Sequence, residues 1–260
     1  MDMRWDQPAR GGSMKLTIVG CGDAFGSGGR LQTCYCVESG QGRLLIDCGA
    51  TTLIGLERVG IDPNSIDTVL ISHLHGDHFS GLVWWYLHAL HVSKRRTALT
   101  VAGPVGLEKR FKQAAEALFP GSLRAEMPFE LRFVEQVAGR AEPLGGFEVM
   151  AFEVSHPSGA VSHALRLEGA GRTIAFSGDT EWVEPLVACA SRADLFLCEC
   201  YAYDRPVRYH MNWLKLKGEL PRLGAKRVVL THMNADMLAN LGNVAAPGVT
   251  LAEDGLTIEF

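Results

Sequence analysis

His73-Leu74-His75-Gly76-Asp77-His78 decides the reading of this chain: three imidazoles and one carboxylate fall within six consecutive positions. Upstream, the β-branched run at residues 66–72 predicts a strand. Downstream, the apolar stretch that begins at Phe79 predicts a helix, so the cluster falls on a strand-to-helix loop. Buried without a cation, these side chains would compete for the same hydrogen-bond partners, and any imidazoles that charged would repel one another. Divalent metals relieve both problems. The plain alternative is a solvated surface loop.

The flanking chain reads as strands that end in polar residues. Residues 14–19, 33–38 and 42–47 predict a three-stranded meander, with the glycine-rich loop from Gly20 to Arg30 after the first strand and a helix at 51–59 after the third. Further strands are predicted at 97–102, 131–134, 147–154, 164–167, 173–176, 195–198 and 227–230, with a helix at 107–118. His156, Asp179, Glu199 and His232 stand just past strand ends in this scheme, where the loops of α/β proteins converge on one edge of a sheet. No fixed-period repeat is present, although the β-rich segments allow a two-half symmetry.

At 260 residues, 47% hydrophobic and 21% charged, the chain is long enough for one well-packed domain, expected at 14–260 after a loose polar leader at 1–13. The longest apolar stretch, 79–90, is broken by His88 and too short to span a bilayer, and the leader has no signal-like apolar core, so the cytoplasm is the expected location. Seven cysteines, two pairs of them at alternating spacing (Cys34 with Cys36, Cys198 with Cys200), read as buried reduced thiols on strands. A net charge of −4 gives no basic footprint for a nucleic-acid backbone, which disfavours a large RNA partner.

The hexapeptide resembles the signature of the metallo-β-lactamase superfamily, and the downstream residues extend the match from Met14 to His232. Asp47 in Leu45-Ile46-Asp47-Cys48-Gly49 resembles the superfamily's strand-end aspartate that supports the metal loop. His156 in Ser155-His156-Pro157, Asp179 in Ser177-Gly178-Asp179-Thr180 and His232 in Leu230-Thr231-His232 resemble its later motifs. The resemblance implies the α/β (α+β) class and an αββα sandwich, two β-sheets flanked by helices. It also implies two divalent ions: His73, His75 and His156 on one, Asp77, His78 and His232 on the other, and Asp179 bridging. Such nitrogen-rich, sulfur-free sites suit Zn²⁺ first, with Mn²⁺ or Fe²⁺ compatible. A metal pair of this kind lowers the pKa of bound water to about 7 and supplies a hydroxide nucleophile, which implies hydrolysis. Asp77 could also help position that nucleophile.

Within the superfamily, the deciding question is what protonates the leaving group, because a phosphodiester expels a more basic oxygen than a thioester does. Glu199 lies twenty residues after Asp179 and His210 twenty-two before His232, a layout similar to the ribonuclease Z-like branch and its small phosphodiesterase relatives. There a Glu–His pair is the general acid, which casts Glu199 as the orienting group and His210 as the donor. His156 and Asp179 are only twenty-three residues apart, so the long arm of the tRNA-processing enzymes is not expected. The expected substrate is therefore a small phosphodiester: a cyclic nucleotide, a cyclic sugar phosphate or a short oligonucleotide. A thioester or lactone hydrolase, a tRNA 3′-processing endoribonuclease and a scaffold with a degenerate site stand as alternatives. A homodimer is a superfamily-level expectation. Gly103-Pro104 resembles a turn of the same branch. The Gly20 to Arg30 loop reads as conformational, with a phosphate contact through Arg30 as the rival. Of Trp84, Trp85 and Tyr86 at least one belongs to the core, and His88, His91 and His163 are structural or surface residues.

Overall fold

Strand alternation sends apolar side chains to both faces of the first sheet, so each strand must be covered twice. In β1 (Met14–Gly20), Leu16 and Ile18 point into one core and Val19 into another. β2 (Cys34–Ser39) and β3 (Gly42–Ile46) repeat the pattern, with Tyr35, Val37, Leu44 and Ile46 on the inner side and Cys34, Cys36 and Leu45 on the outer. α1 (Thr52–Arg58), β4 (Thr68–Leu70), α2 (Gly76–Phe79), α3 (Gly81–His91), β5 (Leu99–Pro104), α4 (Leu107–Leu118) and β6 (Leu131–Gln136) complete the first half. The second half comprises β7 (Ala141–Leu144), β8 (Phe147–Val154), β9 (Ser162–Gly169), β10 (Arg172–Phe176), α5 (Pro185–Ala190), β11 (Leu195–Glu199), α6 (Trp213–Leu223), β12 (Val228–Thr231), α7 (Ala235–Ala239) and β13 (Val249–Leu251). β14 (Thr257–Glu259) returns to pair with β1. The computed structural model describes residues 12–260, so most of the expected leader lies outside the described residues.

Two seven-stranded sheets result, ordered β14-β1-β2-β3-β4-β5-β6 and β13-β12-β11-β10-β9-β8-β7. One core lies between the sheets, a second under α1, α3 and α4, and a third under α5, α6 and α7, which is the expected αββα sandwich. The expected two-half symmetry is real. From β14 to β3 and from β7 to β10 all neighbours are antiparallel; from β3 to β6 and from β10 to β13 all are parallel. The carboxyl ends of β3 and β4 in one sheet and of β10, β11 and β12 in the other therefore meet along one edge of the sandwich.

Two expectations are refined and one helix is added. The cluster is not wholly loop, because Gly76–Phe79 forms a helical turn in which the His78 and Phe79 amides donate to the His75 carbonyl, at 3.0 and 3.1 Å. The strand expected at 66–72 pairs only over Thr68–Leu70. The helix α6 was not legible because Gly218 and Pro221 interrupt its pattern. Among the described residues, no helix is long and apolar enough to cross a membrane. All seven cysteines are buried and free, and burial pushes the Cys34, Cys36, Cys48 and Cys198 thiols up.

Candidate metal centre

Every histidine of the cluster is anchored through one ring nitrogen and presents the other to a common space. Asp47, buried and at φ 60°, accepts from the Ser72 amide at 2.7 Å, the Ser72 hydroxyl at 2.8 Å and His78 Nδ1 at 2.7 Å. Because the Ser72 hydroxyl donates to Asp47, it must accept from His73 Nδ1, 3.0 Å away, which leaves His73 Nε2 a free lone pair. Thr33, just before β2 of the same sheet, works the same way on a histidine of the other: its hydroxyl lies 3.4 Å from the Gly22 carbonyl and 3.3 Å from His232 Nδ1. His156 Nδ1 donates to the Tyr209 carbonyl at 3.0 Å, and His75 is held by the Pro157 carbonyl. Anchors of this kind fix tautomer and ring orientation before any ligand arrives.

The presented atoms form two groups. His73, His75 and His156 make the first; Asp77, His78, Asp179 and His232 make the second; within each, the ligand atoms all lie within 4.8 Å of one another. Asp179 connects them: its carboxylate is 3.1 Å from His232 Nε2, 3.3 Å from His78 Nε2, and 3.9 Å from both His73 Nε2 and His156 Nε2. His73 Nε2, His78 Nε2 and Asp179 Oδ1 are buried and lack hydrogen-bond partners, a costly state that a cation would relieve. This donor set fits a pair of divalent ions, and the sequence-predicted ligands all converge here. Asp179 gets into position because Gly178 turns at φ 60°, where any Cβ would run into the His163 carbonyl.

The charges differ between the groups. Burial holds the His73, His75 and His156 imidazoles below the ordinary value, His156 at about 4. Burial would depress His78 too, but Asp179, Asp77 and Asp47 outweigh it and raise it well above that value. Burial raises Asp77, yet the His78 charge wins and brings it to about 2.

Beside both groups stands the Glu199–His210 pair, with His210 Nδ1 3.0 Å from Glu199 Oε2. Glu199 is buried at the end of β11, and its other oxygen accepts from the Thr180 amide. His210 stacks on Tyr201 at 4.5 Å and lies 4.9 Å from the His156 ring, and it can approach His156 and Asp179 as a third ligand-type group. It is no detached surface histidine. Burial would lower its imidazole, but Glu199 raises it to about 9, while burial lifts Glu199 to about 7 against the pull of His210.

Other candidates fall away from the centre. Arg30 donates to the Ala252 carbonyl at 2.9 Å and is thereby turned toward the chain's own C-terminal loop. Trp85 and Tyr86 are core, while Trp84 packs edge-on against Phe119. His163 is buried and held at about 4 by that burial, His91 is exposed and His88 half-buried. Sequence reasoning missed Ser72, Thr33, Tyr201 and Tyr209; Ser72, adjacent to His73, and Tyr209, adjacent to His210, carried a positional hint.

The solved YhfI of Bacillus subtilis superposes with a TM-score of 0.79 over 95% of this chain and 99% of its own, at 22% identity. The human short-form tRNase Z gives 0.75 over 94% and 98%, at 26% identity. In sequence, a ribonuclease Z of Agathobacter rectalis is 26% identical over 261 aligned residues, covering 80% of this chain and 84% of that enzyme. These likenesses show the metallo-β-lactamase fold and superfamily. The family described as "Anti-Pycsar protein Apyc1" matches residues 14–254, a span that takes in every strand but β14 and every residue of the two ligand groups, and the chain belongs to that family.

Proposed function

We propose that this chain is a dinuclear metal-dependent hydrolase that cleaves a small phosphodiester, such as a cyclic nucleotide, a cyclic sugar phosphate or a short oligonucleotide. Two divalent ions, zinc first with manganese or iron(II) also suited to the donors, would activate water and neutralise charge on the phosphoryl oxygens. The chain's own residues do the rest. Asp47 keeps His78 oriented, Asp77 and Asp179 supply the negative charge that gathers cations and helps position the nucleophile, and burial excludes bulk water from His73 and His78. The observation that carries the phosphodiester reading is the Glu199–His210 pair: Glu199 holds the Nδ1 proton, so Nε2 can deliver a proton to an alkoxide leaving group. At neutral pH an imidazole with a value of about 9 holds that proton ready.

A tRNA 3′-processing role has the names of relatives in its favour, but the stretch between His156 and Asp179 is filled by a short loop and the β9–β10 hairpin, and the net charge is acidic. The proposal places the protein in the cytoplasm acting on a small molecule and not on a membrane, with large RNA disfavoured by the acidic net charge and a homodimer kept as a superfamily-level expectation. The test is metal quantification on the purified protein, followed by turnover of bis(p-nitrophenyl) phosphate against a thioester. Phosphodiester turnover that His210→Ala removes supports the reading; thioester turnover indifferent to His210 overturns it.

A further inference from the structure

A phenyl ring stands in water on a loop that the fold has gone to some length to hold still. Phe25 is 84% exposed, the most open of the large apolar side chains among the described residues. The loop beneath it is braced. Asp23, itself fully buried, accepts from the Phe25 amide at 3.2 Å, the Ser27 amide at 2.9 Å and the Ser27 hydroxyl at 2.8 Å. Gln32 ties the Ala24 carbonyl, at 3.1 Å, to the Ala50 amide, at 2.8 Å. Asp254 accepts from the amides of Cys21 and Leu31 at 3.0 and 2.7 Å, clamping the two stems together.

Both stems adjoin the carboxylate-rich ligand group. The His232 amide donates to the Cys21 carbonyl at 3.0 Å, and Gly22 bridges to Met233. On the other side Gln32 packs against Gly49, whose absent Cβ leaves room for the Asp77 carbonyl. Asp23 also acts electrostatically on Tyr201, the residue stacked on His210. A braced loop whose stems adjoin Asp77 and His232 gains nothing for folding from the aromatic face it displays, because the ring is not buried. Its two faces are available to a flat ligand.

We infer that Phe25 is a specificity-determining residue whose ring stacks on a planar organic ring carried by the phosphodiester substrate while the phosphate lies over the ligand groups. The assignment rests on the phosphodiesterase reading, and it selects ring-bearing substrates over bare cyclic sugar phosphates.

The test uses the metal-loaded full chain with two probes, cyclic adenosine monophosphate and a cyclic ribose phosphate, and the variants Phe25→Ala, Phe25→Tyr and Phe25→Trp. Stacking of this kind predicts that Phe25→Ala raises KM for the adenosine probe by about tenfold, leaves KM for the ribose probe within about twofold, and that Phe25→Tyr restores the first. Independently of turnover, the fluorescence of Phe25→Trp should be quenched by adenosine monophosphate and not by ribose phosphate. Quenching without phosphodiester turnover would sink the phosphodiesterase reading and leave the stacking platform standing. Turnover with KM and quenching blind to the base would overturn the platform alone. A dimer that Phe25→Ala dissociates, with the ratio of the two KM values unchanged, would hand the ring to a second copy of the chain and also overturn it.

Discussion

The two ligand groups share a wall in Asp179 and still differ in kind. His73, His75 and His156 form a neutral nest: burial keeps these imidazoles uncharged, and the nest brings no carboxylate of its own. Asp77, His78, Asp179 and His232 form an anionic one, acidic enough that a fully buried His78 takes a proton in the absence of a cation. The contrast teaches that position in the hexapeptide does not set ligand character. Neighbouring carboxylates do, Asp47 and Asp77 from the first half and Asp179 from the second, and the second group would draw in a cation by charge where the first would rely on lone pairs.

The most damaging change should be Asp179→Ala, which strips the shared wall from both groups. Metal content should fall below one ion per chain and turnover by more than the ~10–100-fold typical of losing a supporting residue. Next comes His210→Ala, which should lower phosphodiester turnover by roughly 10²–10⁴-fold while metal content stays intact, a split read by elemental analysis and kcat. The comparison itself is sharpened by Asp47→Asn, expected to weaken metal binding by ~10–100-fold in the anionic group, whose His78 it holds directly, and less in the neutral one, which it reaches through Ser72, and by His75→Ala, expected to leave one ion bound in the anionic group. Two ions lost together in His75→Ala would erase the distinction.

The smallest effect concerns protons. In the metal-free protein His210 should titrate near 9 by NMR, and Glu199→Gln should lower that midpoint by at least about two units, since burial then faces less opposition. The folded value lies above the ordinary 6.5, so the contribution of the His210 proton to stability is complete below 6.5 and fades as pH rises through about 9. A midpoint unmoved by Glu199→Gln would remove Glu199 from its orienting role.

Much of this centre was legible because each ligand stands at the end of a strand that alternation reveals. Asp47 follows β3, His73 to His78 follow β4, Asp179 follows β10 and His232 follows β12. What stayed hidden works through the backbone or through small hydroxyls. Nothing in the neighbourhood of Thr33 announces that it will meet His232, 199 positions away, and no propensity marks the Tyr209 carbonyl as the anchor of His156. Tyr209, Asp47 and His232 all adopt positive φ, at 67°, 60° and 56°, conformations that only the assembled loops can impose. β13 and β14, three residues each, exist because β12 and β1 offer them edges to pair with.

The two-half architecture would give bound ions a mechanical part to play. His73, His75, Asp77 and His78 belong to the first sheet's half, and His156, Asp179 and His232 to the second's, so any cation held by either group rivets one half of the sandwich to the other. Binding energy there becomes cohesion between the sheets, on the order of 2.7 kcal/mol when free ion exceeds its Kd a hundredfold. Chelation would then loosen the seam between the halves as well as silence the chemistry, and the protein's hold on its fold would follow the metal supply around it.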